Sequence, residues 1–364
     1  MWILLIVGSI VVGLVVLTLA GAVLTRYVVR TPPFRDADGR PVAGSVAEFR
    51  WLQLGGCSQA VLIRGRSVEN PVLLFLHAGP GFPEMGLCRN VNAALEDHYV
   101  VVHWDQRGTG KSYSPFIRPE TMTLDQVVQD AHELTQYLQR RFGTDRIVLV
   151  GHSWGAGLGP VLAARHPDDY SALVCMGQPV VPLESDRLSY GYTLERARVE
   201  GNARAVKELE RIDGYWRLEG KAYVSGMMTQ KRWVQRFGGA LYGQQSMSPL
   251  IRRMLSREVT VFDIPVAQLG SSFSLRTLAP VAYRINLLEE VPELRMPYVL
   301  IQGRHDVNTY PSLVEEYFEV LRAPAKQAHW LENSAHFPHL EEPGEYHRIM
   351  VEEVPAVIAE HTRR

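Results

Sequence analysis

The sequence predicts an α/β fold: a mostly parallel central sheet with a helical cap, preceded by an N-terminal transmembrane helix. Three observations carry this expectation. Short apolar runs recur ahead of glycine-containing turns, and helical patterns alternate with them, as in βα units. The chain between the runs near residues 175 and 299 is far longer than the roughly 2–6 residues a βα connection needs, so it reads as a helical insertion. Residues Trp2 to Leu24 carry no charge and are long enough to cross a bilayer, for which about 20 residues suffice.

From these follows the expected organisation: an anchor over 1–30, a linker over 31–44 and a first core part over 45–180. A helical cap over 181–290 and a second core part over 291–364 complete it. A cleaved signal peptide is the alternative for the first segment, with Ala20-Gly21-Ala22 as a cleavage site. No Lys or Arg precedes the apolar run, however, and the run exceeds a usual h-region. An uncleaved single-pass anchor with membrane lipid as its partner is therefore expected. Arg26, Arg30 and Arg35 follow it and favour a cytoplasmic catalytic domain, although the side stays open. Pro32-Pro33, Asp38-Gly39 and Pro41 give residues 31–44 the composition of a linker.

The core elements follow in order. Residues 48–54 and 60–63 read as an antiparallel opening pair, and 71–76 and 99–104 as buried strands. Thr123-Leu124-Asp125-Gln126 resembles a capping box. Behind it, Leu124, Val127, Val128, Ala131, Leu134 and Leu138 recur on one helical face that packs on the sheet. The run Arg146-Ile147-Val148-Leu149-Val150 then leads into Gly151-His152-Ser153-Trp154-Gly155 and a helix start rich in small residues.

That pentapeptide is the most informative stretch. A strand turning sharply into a helix presents a serine hydroxyl above the sheet in a strained backbone conformation. The flanking glycines let strand and helix backbones nearly touch. A free serine is a poor nucleophile and needs a base and an orienting acid. Alone, the motif also fits a plain helix N-cap. The partners occur in the order this kind of site requires, serine then acid then histidine. Asp306 follows the run Pro297-Tyr298-Val299-Leu300-Ile301, and His336 follows Ala328-His329-Trp330-Leu331. Each residue has a bland reading by itself, an N-cap for Asp306 and an exposed loop histidine for His336. Three such residues, in order and each after a strand, point to Ser153, His336 and Asp306 as nucleophile, base and orienter. The loop His77-Ala78-Gly79-Pro80-Gly81-Phe82-Pro83 after the run 71–76 offers one backbone donor for an oxyanion. The residue after the serine offers the other, so the expected hole is Gly79 with Trp154.

These motifs together resemble the α/β-hydrolase superfamily and, within it, the proline iminopeptidase (prolyl aminopeptidase) branch. That branch carries His-Gly-Gly-Pro-Gly, matched by residues 77–81 with alanine at 78. It carries Asp-Gln-Arg-Gly-x-Gly-x-Ser, matched by residues 105–112. Its Gly-x-Ser-Trp-Gly elbow is matched by 151–155 and its Gly-Arg-x-Asp by 303–306. Its histidine usually follows a glycine, whereas Ala335 precedes His336. The resemblance covers roughly 45–180 and 290–355 and implies the α/β-hydrolase fold. The branch's Trp-x-x-Trp-Glu cap stretch, which helps recognise a substrate amino group, has no counterpart. Glu195, Glu200, Glu208, Glu210 and Glu219 are the nearby acidic candidates, and they read mostly as solvated partners of Arg196, Arg198, Lys207 or Arg211.

Composition fits a globular enzyme. The chain has 364 residues, 46% of them hydrophobic, enough for a sizeable core. A formal net charge of -1 gives no reason to expect nucleic acid. Cys57, Cys88 and Cys175 form no disulfide framework or metal pattern, and Cys175 reads as core. No histidine spacing demands a metal, and no cofactor is expected. Within the insertion, Met227, Met228, Met247 and Met254 with Tyr215, Trp216, Trp233 and Tyr242 are either cap core or pocket lining.

The expected function is a serine hydrolase acting through an acyl-enzyme on a small-molecule or short-peptide substrate, an ester or amide. A true prolyl aminopeptidase, a lactonase and a non-catalytic ligand-binding receptor on the same fold are the alternatives. Epoxide hydrolases and dehalogenases place an aspartate at the elbow, which Ser153 disfavours. Asp105 to Ser112 reads as a tight structural turn rather than as catalytic machinery.

Overall fold

In the computed structural model, which describes residues 2–363 (side chains 3, 4, 18, 19, 22–28, 249, 251 and 252 excepted), eight strands form one sheet. They are β1 (Val46–Leu54), β2 (Cys57–Gly65), β3 (Val72–Leu76), β4 (Val100–Trp104), β5 (Ile147–His152), β6 (Tyr170–Met176), β7 (Tyr298–Gly303) and β8 (Lys326–Leu331). Their order is β1-β2-β4-β3-β5-β6-β7-β8. β1, β2 and β4 pair antiparallel, and every pair from β4 onward is parallel. Leu54 faces Cys57 across a two-residue turn at Gly55-Gly56, whose positive φ angles of 52° and 76° suit a tight hairpin.

Helices cover both faces, so the central strands are buried at nearly every position rather than alternating. Leu74, Leu76, Leu149, Leu173 and Leu300 join one core layer. Leu73, Phe75, Val148, Val150, Val174 and Val299 join the other, because successive side chains point to opposite sides. In chain order the first nine helices are α1 (Trp2–Val28), α2 (Met85–Val91), α3 (Leu124–Phe142), α4 (Trp154–Arg165), α5 (Pro182–Val199), α6 (Ala203–Glu210), α7 (Gly220–Arg236), α8 (Ser248–Arg253) and α9 (Ile264–Thr277). The Thr123 hydroxyl caps α3 by accepting from Gln126 N–H at 3.2 Å. The reciprocal half of a capping box is not made, because the Gln126 side chain donates to Asp130 instead. Gly143, at φ 64°, ends the helix. The face Val127, Val128, Ala131, Leu134 and Leu138 is buried on the sheet.

Helices α5 to α9 lie between β6 and β7. They carry their own core of Tyr190, Leu209, Tyr215, Tyr223, Met227 and Trp233.

The N-terminal expectation is corrected. Among the described residues, no helix is long and apolar enough to cross a membrane. At Gly21 the helix already lies against Phe262, where an added Cβ would stand 2.5 Å from the ring. The transmembrane helix, the membrane localisation and the lipid partner expected from the sequence therefore have no support. Residues 31–34 are also docked. Arg64 donates to Thr31 Oγ1 and to Pro32 O at 2.7 Å, and its guanidinium stacks 4.6 Å from the centre of the Phe34 ring.

Candidate active site

Ser153 sits where β5 meets α4, at φ 52° and ψ −117°, and is the one non-glycine residue with positive φ among those described. Such a conformation is costly for a side chain and persists only where the surroundings enforce it. They do so through close backbone approach. A Cβ on Gly151 would lie 2.3 Å from Gly155 O, and one on Gly155 would lie 2.1 Å from Leu76 O. Ser153 N–H donates to Met176 O at 2.8 Å, which ties the turn to β6.

Asp306 follows β7 and His336 follows β8, and the sheet brings both to the serine. His336 Nε2 is 2.9 Å from Ser153 Oγ, and His336 Nδ1 is 2.9 Å from Asp306 Oδ2. Asp306 is buried and heavily hydrogen-bonded. It accepts from Asn308 N–H at 2.7 Å, Thr309 N–H at 3.0 Å, Gln302 Nε2 at 3.0 Å and the Thr309 hydroxyl. Burial alone would raise its pKa, but His336 and the donors from Thr309 outweigh it and hold the carboxyl below its ordinary value. The His336 loop is braced by Glu341, which accepts from Ala335 N–H and Phe337 N–H at 3.0 Å each. Ala335 fits where the resemblance favours glycine because no positive φ is needed there.

Gly79 and Trp154 line the same cavity as Ser153. Trp154 opens α4, so its N–H has no intrahelical acceptor. Gly79 adopts φ 137°, and a Cβ on it would stand 2.3 Å from Gly81 N. The turn at 105–112 supports the site from behind. Gln106 Oε1 accepts from Trp154 Nε1 at 2.9 Å, and Gln106 N–H donates to His77 Nε2 at 3.1 Å. Arg107 points away into a buried pair with Asp130, two contacts of 2.8 Å.

The cavity holds about 380 Å³. Phe82, Pro179, Met228, Met247 and Phe337 form its apolar walls. Its polar side includes Asp186 and Lys231, which the sequence did not single out. Asp186 is buried, accepts from Tyr223 OH at 2.8 Å and lies 3.4 Å from Lys231 Nζ. Lys231 also donates to Asn308 O at 3.1 Å. None of the five glutamates proposed from the sequence lines this cavity. Glu200, Glu208 and Glu210 pair with Arg196, Arg204 and Arg198, and Glu219 pairs with Arg284. Of the insertion's methionines and aromatics, Met228, Met247 and Tyr283 reach the cavity. Tyr215, Met227 and Trp233 pack in the cap core, and Tyr242 stacks on His305.

Two groups of described residues bring three potential metal ligands together. In Glu84, His152 and His339, the first two are consumed by hydrogen bonding to each other. In His132, His166 and Asp169, the imidazoles stack face to face at 3.6 Å and 8°, so no ion can lie in both ring planes. Neither group fits a resident metal as arranged.

Comparison with known proteins agrees with this architecture. The family described as "Alpha/beta hydrolase family" matches residues 73–349. The chain is 33% identical over 305 residues to "Probable aminopeptidase YbaC" of Bacillus subtilis (strain 168), covering 83% of this chain and 95% of that one. It is 25% identical over 286 residues to "Proline iminopeptidase" of Heyndrickxia coagulans, covering 76% of this chain and 87% of that one. Among solved structures, proline iminopeptidase of Mycobacterium smegmatis superposes with a TM-score of 0.65 at 17% identity, over 86% of this chain and 99% of that one, a likeness of fold alone.

Proposed function

Because the chain belongs to the alpha/beta hydrolase family, in the branch that resembles proline iminopeptidases, we propose that it is a serine hydrolase working through an acyl-enzyme on a small ester or amide. The observation that carries this reading is the hydrogen-bonded relay from Ser153 through His336 to Asp306, 2.9 Å at each step.

In this mechanism His336 Nε2 takes the Ser153 hydroxyl proton as the oxygen attacks the substrate carbonyl. Asp306 stays ionised, fixes the imidazole tautomer and stabilises the imidazolium that forms. The tetrahedral oxyanion faces the N–H groups of Gly79 and Trp154, and loss of one such donor typically costs about 2.7–4 kcal/mol of transition-state stabilisation. His336 returns the proton to the leaving alcohol or amine, and water then repeats the sequence to release the acid.

The walls of the cavity favour a small apolar acyl group. Among the described residues, Asp186 is the one buried carboxylate lining it, and Lys231 and Tyr223 already engage it. A substrate ammonium would have to displace Lys231, so a free N-terminal amine adds little to binding. The second reading, an aminopeptidase, is favoured by that same carboxylate, should Lys231 swing aside. The test is kcat/KM on a prolyl arylamide, its N-acylated form and a short-chain ester. The proposal expects the ester and the N-acylated form to match or exceed the free amine. A free-amine advantage of several orders of magnitude would replace it with the aminopeptidase reading.

A further inference from the structure

Behind the relay lies a second buried pair that the reaction does not use. Glu84 and His152 are 1% and 0% exposed. Glu84 Oε1 is 2.8 Å from His152 Nδ1, and His152 Nε2 is 2.8 Å from the backbone oxygen of His336. Glu84 Oε2 accepts from Ala78 N–H at 2.7 Å. One pair thus touches the loop carrying Gly79, the elbow carrying Ser153 and the loop carrying His336.

The partners of His152, together with the ionisation of Glu84, set its proton count. A carbonyl oxygen only accepts, and so does an ionised carboxylate. The His336 carbonyl requires a proton on Nε2, and with Glu84 ionised Nδ1 also faces an acceptor, so the ring donates twice as an imidazolium. His77 makes the contrast: its Nδ1 meets Ala78 O at 2.6 Å and its Nε2 accepts from Gln106 N–H, which is a neutral ring. The groups facing His152 are Glu84, His336, His339, His77 and, at longer range, Asp306. His339 is neutral, held down to about 3 by its burial. Burial opposes charge on His152 and Glu84 too. Their mutual attraction wins in both, raising the histidine and lowering Glu84 to about 2.

We propose that Glu84 and His152 are positioning residues, a buried carboxylate–imidazolium link that holds the oxyanion loop, the nucleophile elbow and the His336 loop in catalytic register. The link acts through backbone positions rather than by touching substrate. It rests on the reading of Ser153, His336 and Asp306 as the reactive set.

Two measurements test it. In wild-type protein with 15N-labelled histidine, one ring, assigned by its loss in His152→Gln, carries protons on both nitrogens at pH 7–8. A single unprotonated nitrogen on that ring overturns the proposal without any variant having to be active. The second is the rate of labelling by a fluorophosphonate, split into kinact and KI. Glu84→Ala cuts the link and lowers kinact by about 10- to 100-fold, the scale of a small misplacement of reacting groups, while KI stays within about threefold. Glu84→Gln can still accept from Ala78 N–H and donate to a neutral His152, so it restores most of kinact. Unchanged kinact in Glu84→Ala, a loss expressed only in KI, or Glu84→Gln as slow as Glu84→Ala overturns the link. Where Glu84→Ala does not fold, Glu84→Gln and the spectrum still decide. Ser153→Ala is the separate control: labelling that survives there refutes the serine reading, and the histidine spectrum then judges the link alone.

Discussion

Lys231 Nζ lies 3.4 Å from Asp186 Oδ1, and both residues face the cavity that holds Ser153. A buried charge that loses its partner is costly, and a substrate cation can supply a new one. Lys231→Met should therefore raise kcat/KM for the prolyl arylamide relative to its N-acylated form, by roughly tenfold for each 1.4 kcal/mol of new pairing. Asp186→Asn should leave the ester rate within a few fold. Measurement of the three substrates on each variant checks this, and a ratio unmoved in Lys231→Met would show that the pair does not set the amine preference.

Arg107 should matter to stability and not to substrate choice. Its guanidinium is buried against Asp130 and also donates to Gly55 O at 2.9 Å, joining the β1–β2 turn to α3. Removing one partner of such a pair leaves an uncompensated charge and typically costs about 3–5 kcal/mol. Thermal and denaturant unfolding of Arg107→Ala should register a loss of that order, with the ratio of ester to amide rates unchanged. A specificity shift without a change in melting would contradict the assignment.

The turn at 105–112 should also leave a signature in the pH dependence of stability. Burial pushes Asp105 from 3.8 up to about 7. The folded state thus holds this proton more tightly than the unfolded chain does. The associated stability is fully present below about pH 4 and is lost as pH rises through about 7. Asp105→Asn cannot titrate, so the melting temperature of wild type minus that of Asp105→Asn should fall between pH 5 and pH 8. A difference that stays flat or rises with pH would show that the carboxyl is ionised throughout.

Much of the architecture was legible because each informative residue follows a strand that the chain marks with a short apolar stretch. β5, β7 and β8 deliver Ser153, Asp306 and His336 to one edge of the sheet, so order along the chain carried over to proximity in space. The hairpin was legible in outline, although β2 runs to Gly65 rather than ending at Ile63, because its later residues pair with β1 and β4. Asp186 and Lys231 were not legible. They come from separate helices, α5 and α7, and only the packing of those helices turns them towards one cavity. Glu84 was hidden for the same reason: it is a loop residue whose partner is far along the chain. The N-terminal segment misled because its apolar run suggested a span, whereas among the described residues no helix is long and apolar enough to cross a membrane.

The central claim is that Ser153, driven by His336, attacks the substrate carbonyl. The most direct test is to treat the folded protein with a fluorophosphonate probe and locate the adduct by peptide mass spectrometry. The account predicts a single adduct on the peptide containing Gly151 to Gly155, at Ser153, and none in Ser153→Ala of unchanged melting temperature. Labelling that persists in Ser153→Ala, or wild-type protein that stays unlabelled while hydrolysing an ester, would contradict it.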